Sequence, residues 1–245
     1  MTTEAKTVGG KGGWNADARL AALRLCPPFT DWDDGALARL AAIARVEHHA
    51  RGAEIFARDP ERREAFVIAA GEIEISRVSE AGRKYVLSVS GAHSVLALVR
   101  LLDRQPIHFT YRAYSDTTLL HLPTARLIAI LDAQPMLWRS VALFMCARQG
   151  DSLRLLNDQQ LGSLEQRMAA TIVDLARIHG IESETGTEVG LRLPQEQLGA
   201  MLGITRQSVN KLLRGFEEAG LIATDYNRLT IRDHPALDRI AAARD

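Results

Sequence analysis

The sequence has no net charge and only two cysteines, and both features limit what the protein can be. Its 245 residues include 30 basic and 30 acidic side chains. A neutral chain does not coat nucleic acid through overall charge, although a local basic face stays open. Cys26 and Cys146 form no CxxC pair and cannot supply the four thiolates of an iron–sulfur cluster. We expect two reduced thiols, as is usual in a cytoplasmic protein.

Long apolar segments are also absent. No run reaches the roughly 18 residues that a membrane span requires, and residues 1–16 lack the hydrophobic stretch of a secretory signal. We expect this glycine-rich start to form a flexible tail. Hydrophobic residues make up 47% of the chain, enough for a packed core. The composition therefore predicts a globular cytoplasmic protein with no membrane association.

Short strand-like runs dominate the next part of the chain, which we assign as one domain over residues 17–134. A helical segment comes first, with Asp33 or Asp34 as its N-cap. The predicted strands that follow are 66–70, 72–79, 83–90, 107–115 and 117–122. Ala81 and Gly82 have the composition of a hairpin turn. Many short antiparallel strands predict a β-roll or jelly roll, whereas 95–98 together with Leu101 and Leu102 has a more helical pattern.

A long helix is expected over residues 135–162, together with a hinge at its end. Pro135 suits the first helical position because its ring presets the backbone and its missing N–H is not needed there. Gly150 lies inside the segment, and a glycine there costs about 1 kcal/mol relative to alanine. The helix is therefore either continuous with a polar middle or broken near Gly150, and we favour the continuous form.

A further domain is predicted over residues 163–245. Ser163 and Gln166 have the spacing of a capping box, which marks the start of a new helix. Gly180 is expected to end that helix in a left-handed conformation. The polar stretch 181–190 is expected to be a loop.

The segment 194–222 has the pattern of a helix-turn-helix. Pro194 suits the start of the first helix, and Gly199 is small where two helices must touch. Gly203 can adopt the left-handed turn between them, and Thr205 can cap the second helix. The buried stripe of that second helix is expected to be Val209, Leu212, Leu213 and Phe216, with Gly220 at its end.

Charge in this segment favours DNA as the partner. No acidic residue lies between Gln197 and Phe216, and the local charge is +3 in a neutral chain. Arginine can bind guanine through two hydrogen bonds, and asparagine or glutamine can bind adenine in the same way. A helix N-terminus also favours phosphate. The predicted DNA-binding residues are Thr205, Arg206, Gln207, Ser208, Asn210, Lys211, Arg214 and, from the next element, Arg228.

A β-hairpin wing is predicted after the second helix. Residues 221–224 and 228–232 are strand-like, with a turn at 225–227 between them, and Arg228 is expected near a backbone phosphate. The alternative is a helical module used for protein–protein contact, with its basic residues forming a solvated face. The charge asymmetry favours DNA.

These features together resemble the CRP/FNR superfamily of transcription regulators, whose parts are a β-roll, a long helix, a capped helix of the form SLEQRMAATIVDLA and a helix-turn-helix. The resemblance covers roughly residues 20–235 and is most specific over 163–222. It implies an α+β fold with an N-terminal β-roll, a long dimerisation helix and a C-terminal winged helix-turn-helix. It also implies a homodimer on pseudo-palindromic double-stranded DNA, with RNA polymerase as a further partner. Base reading would then fall to Arg206, Gln207, Asn210 and Lys211.

The resemblance also locates a candidate effector pocket, at Leu96, Ala97, Arg100, Ile107, His108 and Ser152. Relatives that bind cyclic nucleotides hold the ligand with a Gly-Glu pair and a later Arg-Ser pair. Leu96 and Ala97 stand at the first pair here, and Ile107 and His108 at the second. No glutamate occurs anywhere between Ala81 and Leu164, and a phosphate against apolar groups would be desolvated without compensation. We predict no cofactor and no binding of cAMP in the family's manner.

Three alternatives stay open for this pocket. It takes a haem-like or apolar ligand, with His93 or His108 as a ligand to iron. It takes another nucleotide, such as a cyclic dinucleotide, through Arg100, Arg104 or Arg112. Or its own side chains fill it, and activity is controlled elsewhere or not at all.

An enzyme is the remaining rival, because His48 and His49 suggest a metal-binding β-roll. Adjacent residues on a strand point to opposite faces, so this pair cannot bind one ion. No His-x-His with a downstream glutamate completes a site, and no phosphate loop, nucleophile–base spacing or zinc-protease motif occurs. We expect neither enzymatic activity nor a metal site.

Overall fold

The computed structural model describes residues 13–55, 63–103, 109–191, 193–225 and 228–242, apart from the side chains of 155 and 157–161. These residues form two compact units. The first contains the described residues up to Ser76 together with Val89–Gln149. The second contains Arg77–Ser88 and the described residues from Gly150 onward. No helix in the described part of the chain is both long and apolar enough to cross a lipid bilayer.

Two helices open the first unit. α1 (Ala16–Arg24) begins after Asn15, and α2 (Asp34–Ile43) begins after Asp33. The Asp33 carboxylate accepts a hydrogen bond of 2.8 Å from the backbone N–H of Ala36, so Asp33 is the N-cap. The apolar face of α2 is buried, as its spacing predicts, through Ala36, Leu37, Leu40 and Ala41.

Two antiparallel sheets follow, and they form the predicted β-roll. Their strands are β1 (Arg45–His49), β2 (Glu54–Ile55), β3 (Glu64–Ala70), β4 (Ile73–Val78), β5 (Lys84–Ser90), β6 (Val95–Leu96), β7 (Thr110–Ala113) and β8 (Thr117–Pro123). One sheet has the order β1-β8-β3-β6 and the other β2-β7-β4-β5. Gly82 takes the predicted turn between β4 and β5, with a φ of 76° that favours glycine.

The helical prediction for 95–98 with Leu101 and Leu102 is only partly right. Val95–Leu96 is a strand that pairs with β3, and the helical part is a short 3₁₀ turn over Leu98–Leu101. A run of consecutive apolar residues has no period that separates a buried strand from a helix, which explains the error. The predicted strand at 107–115 is shorter within the described residues, where it covers Thr110–Ala113.

The sheet β1-β8-β3 buries a small network of charged side chains. His121 is fully buried, and its Nδ1 lies 3.0 Å from Oε2 of Glu64. The other oxygen of Glu64 accepts a hydrogen bond of 2.5 Å from Arg45. Burial lowers the pKa of His121, since the loss of hydration outweighs the nearby carboxylates of Glu47 and Glu64. Sequence patterning did not predict this network.

Two helices complete this part of the chain. α3 (Thr124–Ala133) is followed by α4 (Met136–Leu161), which begins directly after Pro135. α4 continues through Gly150 without a break, so the continuous alternative is confirmed. Leu137 and Val141 pack into the core of the first unit.

The second unit contains α5 (Leu164–His179). Its capping box is complete: the Gln166 N–H donates to the Ser163 hydroxyl at 3.2 Å, and the Ser163 N–H donates to Oε1 of Gln166 at 2.6 Å. These two bonds satisfy backbone donors that a helix start leaves open. The prediction of a new helix at this point is confirmed.

Two predictions for the segment after α5 are wrong. Gly180 is extended, with a φ of −68°, and 181–190 is not a loop but a hairpin of β9 (Gly180–Ser183) and β10 (Gly186–Val189). Glycine is needed at 180 because a Cβ there would lie 2.2 Å from the carbonyl oxygen of Ala176. All residues of β9 are exposed and few of them are apolar, so its sequence does not show the pattern of a strand.

The rest of the second unit is a winged helix-turn-helix. Its elements are α6 (Gln195–Leu202), α7 (Arg206–Glu218), β11 (Ile222–Asp225), β12 (Arg228–Ile231) and α8 (His234–Ala242). The sheet has the order β11-β12-β10-β9, so the predicted wing strands join the unexpected hairpin. Residues 226 and 227 of the predicted wing turn lie outside the described residues.

Candidate nucleic-acid interface

Two glycines shape the turn between α6 and α7. Gly203 ends α6 with a φ of 69°, a conformation that favours glycine. A Cβ on Gly199 would lie 2.8 Å from the carbonyl oxygen of Ile204, closer than real Cβ atoms come. Both roles match the prediction. The consequence is that α7 leaves the turn at a fixed angle to α6.

One face of α7 holds it in place. Val209, Leu213 and Phe216 are buried, as predicted, while Leu212 is only half-buried. The carboxylate of Glu217 accepts hydrogen bonds from the backbone N–H and the hydroxyl of Thr224, which joins the end of α7 to β11. The opposite face is therefore free to meet a partner without loss of the fold.

Long polar side chains occupy that opposite face. Arg206, Gln207, Lys211 and Arg214 are exposed, and Ser208 and Asn210 are half-buried. Within the described part of the chain, Arg206, Lys211 and Arg214 make no ion pair. Arg112, Arg177 and Arg228 are exposed and paired to carboxylates, whereas Arg126, Arg139 and Arg239 are exposed and, within the described residues, unpaired. The distinctive feature of α7 is that three unpaired cations lie close together on one helix.

The N-terminus of α7 adds backbone donors to this surface. Thr205 is the N-cap, as predicted, and its hydroxyl accepts a hydrogen bond of 3.2 Å from the Ser208 N–H. The remaining N–H groups of the first turn have no partner within the helix. Together with the helix dipole, they favour an anion such as phosphate.

Two contacts that the sequence analysis did not predict hold the elements next to this surface in place. Arg167 on α5 donates a hydrogen bond of 2.6 Å to the carbonyl oxygen of Leu202, at the end of α6. Arg228 on β12 forms an ion pair of 3.1 Å with Glu188 on β10. The hairpin that carries Glu188 was expected to be a loop, so no local signal pointed to this partner.

The described residues of the candidate effector pocket lie in the first unit, apart from Ser152. Leu96 is buried in β6, and Ala97 adopts a left-handed conformation with a φ of 59° just before the 3₁₀ turn. Arg100 is buried in that turn, and its carbonyl oxygen accepts a hydrogen bond from Arg63. Ser152 is exposed on α4. Ile107 and His108 lie outside the described residues.

The other candidate ligand contacts differ in accessibility. Arg112 is engaged by the carboxylate of Glu54 at 3.1 Å and by the carbonyl oxygen of Gly52 at 3.0 Å. His93 is half-buried, with a φ of 67°. Arg104 lies outside the described residues. Of the arginines predicted to attract a nucleotide, Arg112 therefore already has protein partners for its guanidinium.

Family models match both units of the chain. The description "Crp-like helix-turn-helix domain" matches residues 166–240, and "Cyclic nucleotide-binding domain" matches residues 46–134. Together the matches cover well over half of the sequence. The chain belongs to the CRP/FNR superfamily. It is a transcription regulator of this superfamily with a helix-turn-helix DNA-binding domain.

Curated relatives agree with this assignment. The global nitrogen regulator of Synechococcus elongatus is 26% identical over 203 residues, which are 80% of this chain and 89% of that protein. The HTH-type transcriptional regulator Cmr of Mycobacterium tuberculosis is 29% identical over 202 residues, 81% of this chain and 77% of that protein. These relatives are regulators rather than enzymes, as the sequence analysis predicted.

A solved structure supports the fold. A CRP/FNR-family transcriptional regulator from Thermus thermophilus superposes with a TM-score of 0.68 at 21% identity, over 82% of this chain and all of that one. The predicted α+β architecture of a β-roll, a long helix and a winged helix-turn-helix is confirmed.

Proposed function

We propose that the protein recognises a specific DNA sequence as a homodimer on a pseudo-palindromic operator. The observation that carries this proposal is the face of α7 on which Arg206, Lys211 and Arg214 are exposed and unpaired within the described residues. In helix-turn-helix proteins, the second helix lies in the major groove with its N-terminal residues at base edges. α7 has the cap, the buried anchor face and the polar outer face for that role.

The polar side chains of this surface then divide into those that contact bases and those that contact phosphates. Arg206, Gln207, Asn210 and Lys211 read base edges, where long donors can bind guanine or adenine. Thr205, Ser208 and Arg214 contact phosphates around the helix start. Arg228 contacts a phosphate with the guanidinium donors that Glu188 leaves available, since a guanidinium has five N–H groups.

A second apolar face on α4 supports dimerisation. Leu137 and Val141 bury one face in the first unit, but Met136, Leu143 and Leu153 are 71%, 54% and 56% exposed. Met136, Leu143 and Gly150 are spaced by seven residues, and Leu153 follows Gly150 by three, which is the a and d spacing of a helix–helix seam. Cys146 and Gly150 lie between Leu143 and Leu153, and nothing occupies the space around Gly150. We assign this stripe as the contact between two copies of α4.

Selection of bound sequences from random duplex DNA tests the proposal. The expected result is an inverted repeat whose half-sites lie about one helical turn apart, roughly 34–36 Å. Affinity for the selected site should fall steeply with salt, because phosphate contacts release counterions. If no sequence is enriched and the chain instead binds a protein with little dependence on salt, the helix-turn-helix serves protein contact.

The second part of the proposal is that the β-roll does not bind cAMP in the family's manner. Where a cyclic-nucleotide site would have its carboxylate, this chain has Ala97, and Leu96 beside it is buried. Calorimetric titration of the full chain with cAMP should show no heat of tight binding. A panel with cyclic dinucleotides and haem then separates the remaining ligand classes from a filled pocket, and tight cAMP binding would refute this part.

RNA polymerase in the cytoplasm is the further partner that we propose. The expected observation is a complex of operator-bound protein and polymerase on a promoter fragment. Its absence, with the operator fully occupied, would leave a regulator that acts by occlusion alone.

A further inference from the structure

Three potential metal ligands converge on the sheet β1-β8-β3. One potential ligand atom from each of Glu47, His49 and His121 lies within 4.8 Å of the other two. Oε2 of Glu47 is 3.5 Å from Nε2 of His121 and 3.7 Å from Nε2 of His49. Zinc bonds of about 2.0–2.1 Å in a tetrahedron place neighbouring donors roughly 3.4 Å apart. The two distances to Glu47 are therefore close to those of a zinc site.

Strand geometry explains why these residues meet. Glu47 and His49 are two positions apart on β1 and so share one face of the sheet. β8 pairs with β1 in an antiparallel register that places His121 opposite Arg45, on the same face. His48 points to the other face, where its Nδ1 lies 3.0 Å from the Thr118 hydroxyl. The rule that excludes a His48–His49 site thus leaves room for a site that uses His49 alone.

A second carboxylate orients His121. Glu64 is ion-paired with Arg45 at 2.5 Å, so it is a carboxylate that can only accept hydrogen bonds. The Nδ1 of His121, 3.0 Å away, therefore carries the proton and donates it to Glu64. In the neutral ring the lone pair is then on Nε2, which faces Glu47. Histidines that bind metals usually donate their other N–H to a carboxylate in this way.

The two oxygens of Glu47 have different neighbours. Oε1 is ion-paired with Arg45 at 3.3 Å, whereas Oε2 faces Nε2 of His121 at 3.5 Å, and the buried Nε2 of His49 makes no hydrogen bond within the described residues. We propose that Glu47, His49 and His121 bind a divalent first-row transition metal ion of the zinc type. Two imidazoles and one carboxylate suit zinc, whereas magnesium and calcium prefer oxygen ligands alone. Glu47 and His49 are 28% and 17% exposed, which gives the ion a path from solvent.

The bound ion joins β1 to β8, which lie next to each other in the sheet but far apart in the sequence. It therefore stabilises the folded β-roll, because it binds the native state and not the unfolded chain. Three protein ligands also leave a fourth position for water or a small anion.

Direct binding of zinc by the full-length chain tests the site. The protein is prepared without a histidine tag, stripped with a chelator and titrated with Zn²⁺ against a chromophoric competitor. We expect one Zn²⁺ per chain after gel filtration and no comparable binding of Mg²⁺. Co²⁺ should give the intense visible absorption of a four-coordinate nitrogen–oxygen site, a readout that requires no variant.

Variants then locate the ion. His49→Ala and Glu47→Gln alter partly exposed side chains, so both should fold, and each should lower zinc affinity at least 100-fold. Glu64→Gln, which keeps the shape of the side chain but loses the charge that orients His121 and pairs with Arg45, should lower it about 10–100-fold. His48→Ala is the matched control and should bind zinc like the wild type. The site is refuted if the wild type retains no zinc and gives no cobalt spectrum, or if His48→Ala loses as much affinity as His49→Ala.

Discussion

The charged side chains of α7 and those of the sheet β1-β8-β3 differ in exposure and in pairing. α7 exposes Arg206, Lys211 and Arg214, and none of these has an ion-pair partner in the described structure. The sheet buries His121 and Glu64 and pairs them with each other and with Arg45. Exposed and unpaired cations contribute little to folding but remain available to an external anion. A buried charge that loses its partner destabilises the fold, so the buried charges of the sheet serve stability rather than DNA binding.

The largest expected effect is on the reactivity of the two thiols, one of which is buried and the other exposed. Burial raises the pKa of Cys26 to about 12, while Cys146 is exposed on α4. At pH 8, a thiol with that pKa is about one part in 10,000 thiolate, which is the reactive form. A thiol reagent should therefore modify Cys146 and leave Cys26 at under a thousandth of its rate in the unfolded chain.

Mass spectrometry of the alkylated chain, with a urea-unfolded sample as control, measures this difference. Rapid labelling of Cys26 in the folded protein would show that the first unit opens readily. Oxidation adds a check on the dimer, since the proposed seam brings two copies of Cys146 close together. A covalent dimer that Cys146→Ser abolishes would support the seam.

Loss of the buried carboxylate is the next largest effect. Glu64→Ala should destabilise the protein by about 2–3 kcal/mol, because Arg45 and His121 both lose their partner. The loss is smaller than for a fully buried ion pair because half of the Arg45 side chain is exposed. Urea unfolding measures the change. Operator affinity of the folded variant should equal that of the wild type. A loss of operator affinity as large as the loss in the free energy of unfolding would contradict the separate roles of the sheet and of α7.

Arg206→Ala should show the opposite pattern. It should weaken operator binding by about 1–3 kcal/mol and relax preference at one base pair, since a base contact is lost. Stability should change by less than about 0.5 kcal/mol, as for most surface substitutions. Arg177→Ala is the control, because Arg177 is an exposed arginine on α5 with its own partner, Asp174. Fluorescence anisotropy on the selected operator compares the two, and equal losses would show that α7 has no special role.

The success of sequence reasoning follows the distance between interacting residues. The capping box joins Ser163 to Gln166, and the turn at Gly203 involves residues within five positions, so a local pattern shows both. The cluster of Glu47 with His121 and the pairing of β10 with β12 depend on distant segments. Such pairing leaves no periodic signal, because a strand's register is set by its neighbours. The β9–β10 hairpin is local, but its exposed strand β9 lacks a strand-like apolar pattern. The cations of α7 were predictable since they lie on one helix.

The smallest expected effect is the change in stability when Gly203 or Gly215 is replaced by alanine, which tests the explanation of the turn between α6 and α7. Nothing lies within 4 Å of a Cβ built on Gly203 or on Gly215, so sterics do not separate them. Gly203 has a φ of 69°, and Gly203→Ala should therefore cost about 1 kcal/mol in backbone strain. Gly215 is inside α7, and Gly215→Ala should instead stabilise the protein by about 0.5–1 kcal/mol. Thermal unfolding measures both, and equal signs would contradict this explanation of the turn.

Methylation interference on the selected operator tests most directly whether α7 enters the major groove. Guanine N7 is exposed in that groove, where an arginine or lysine side chain would contact it. The account predicts that methylation of N7 at one or more guanines in each half-site blocks binding, at positions related by two-fold symmetry. Interference confined to adenine N3 in the minor groove, or present in one half-site only, would contradict it.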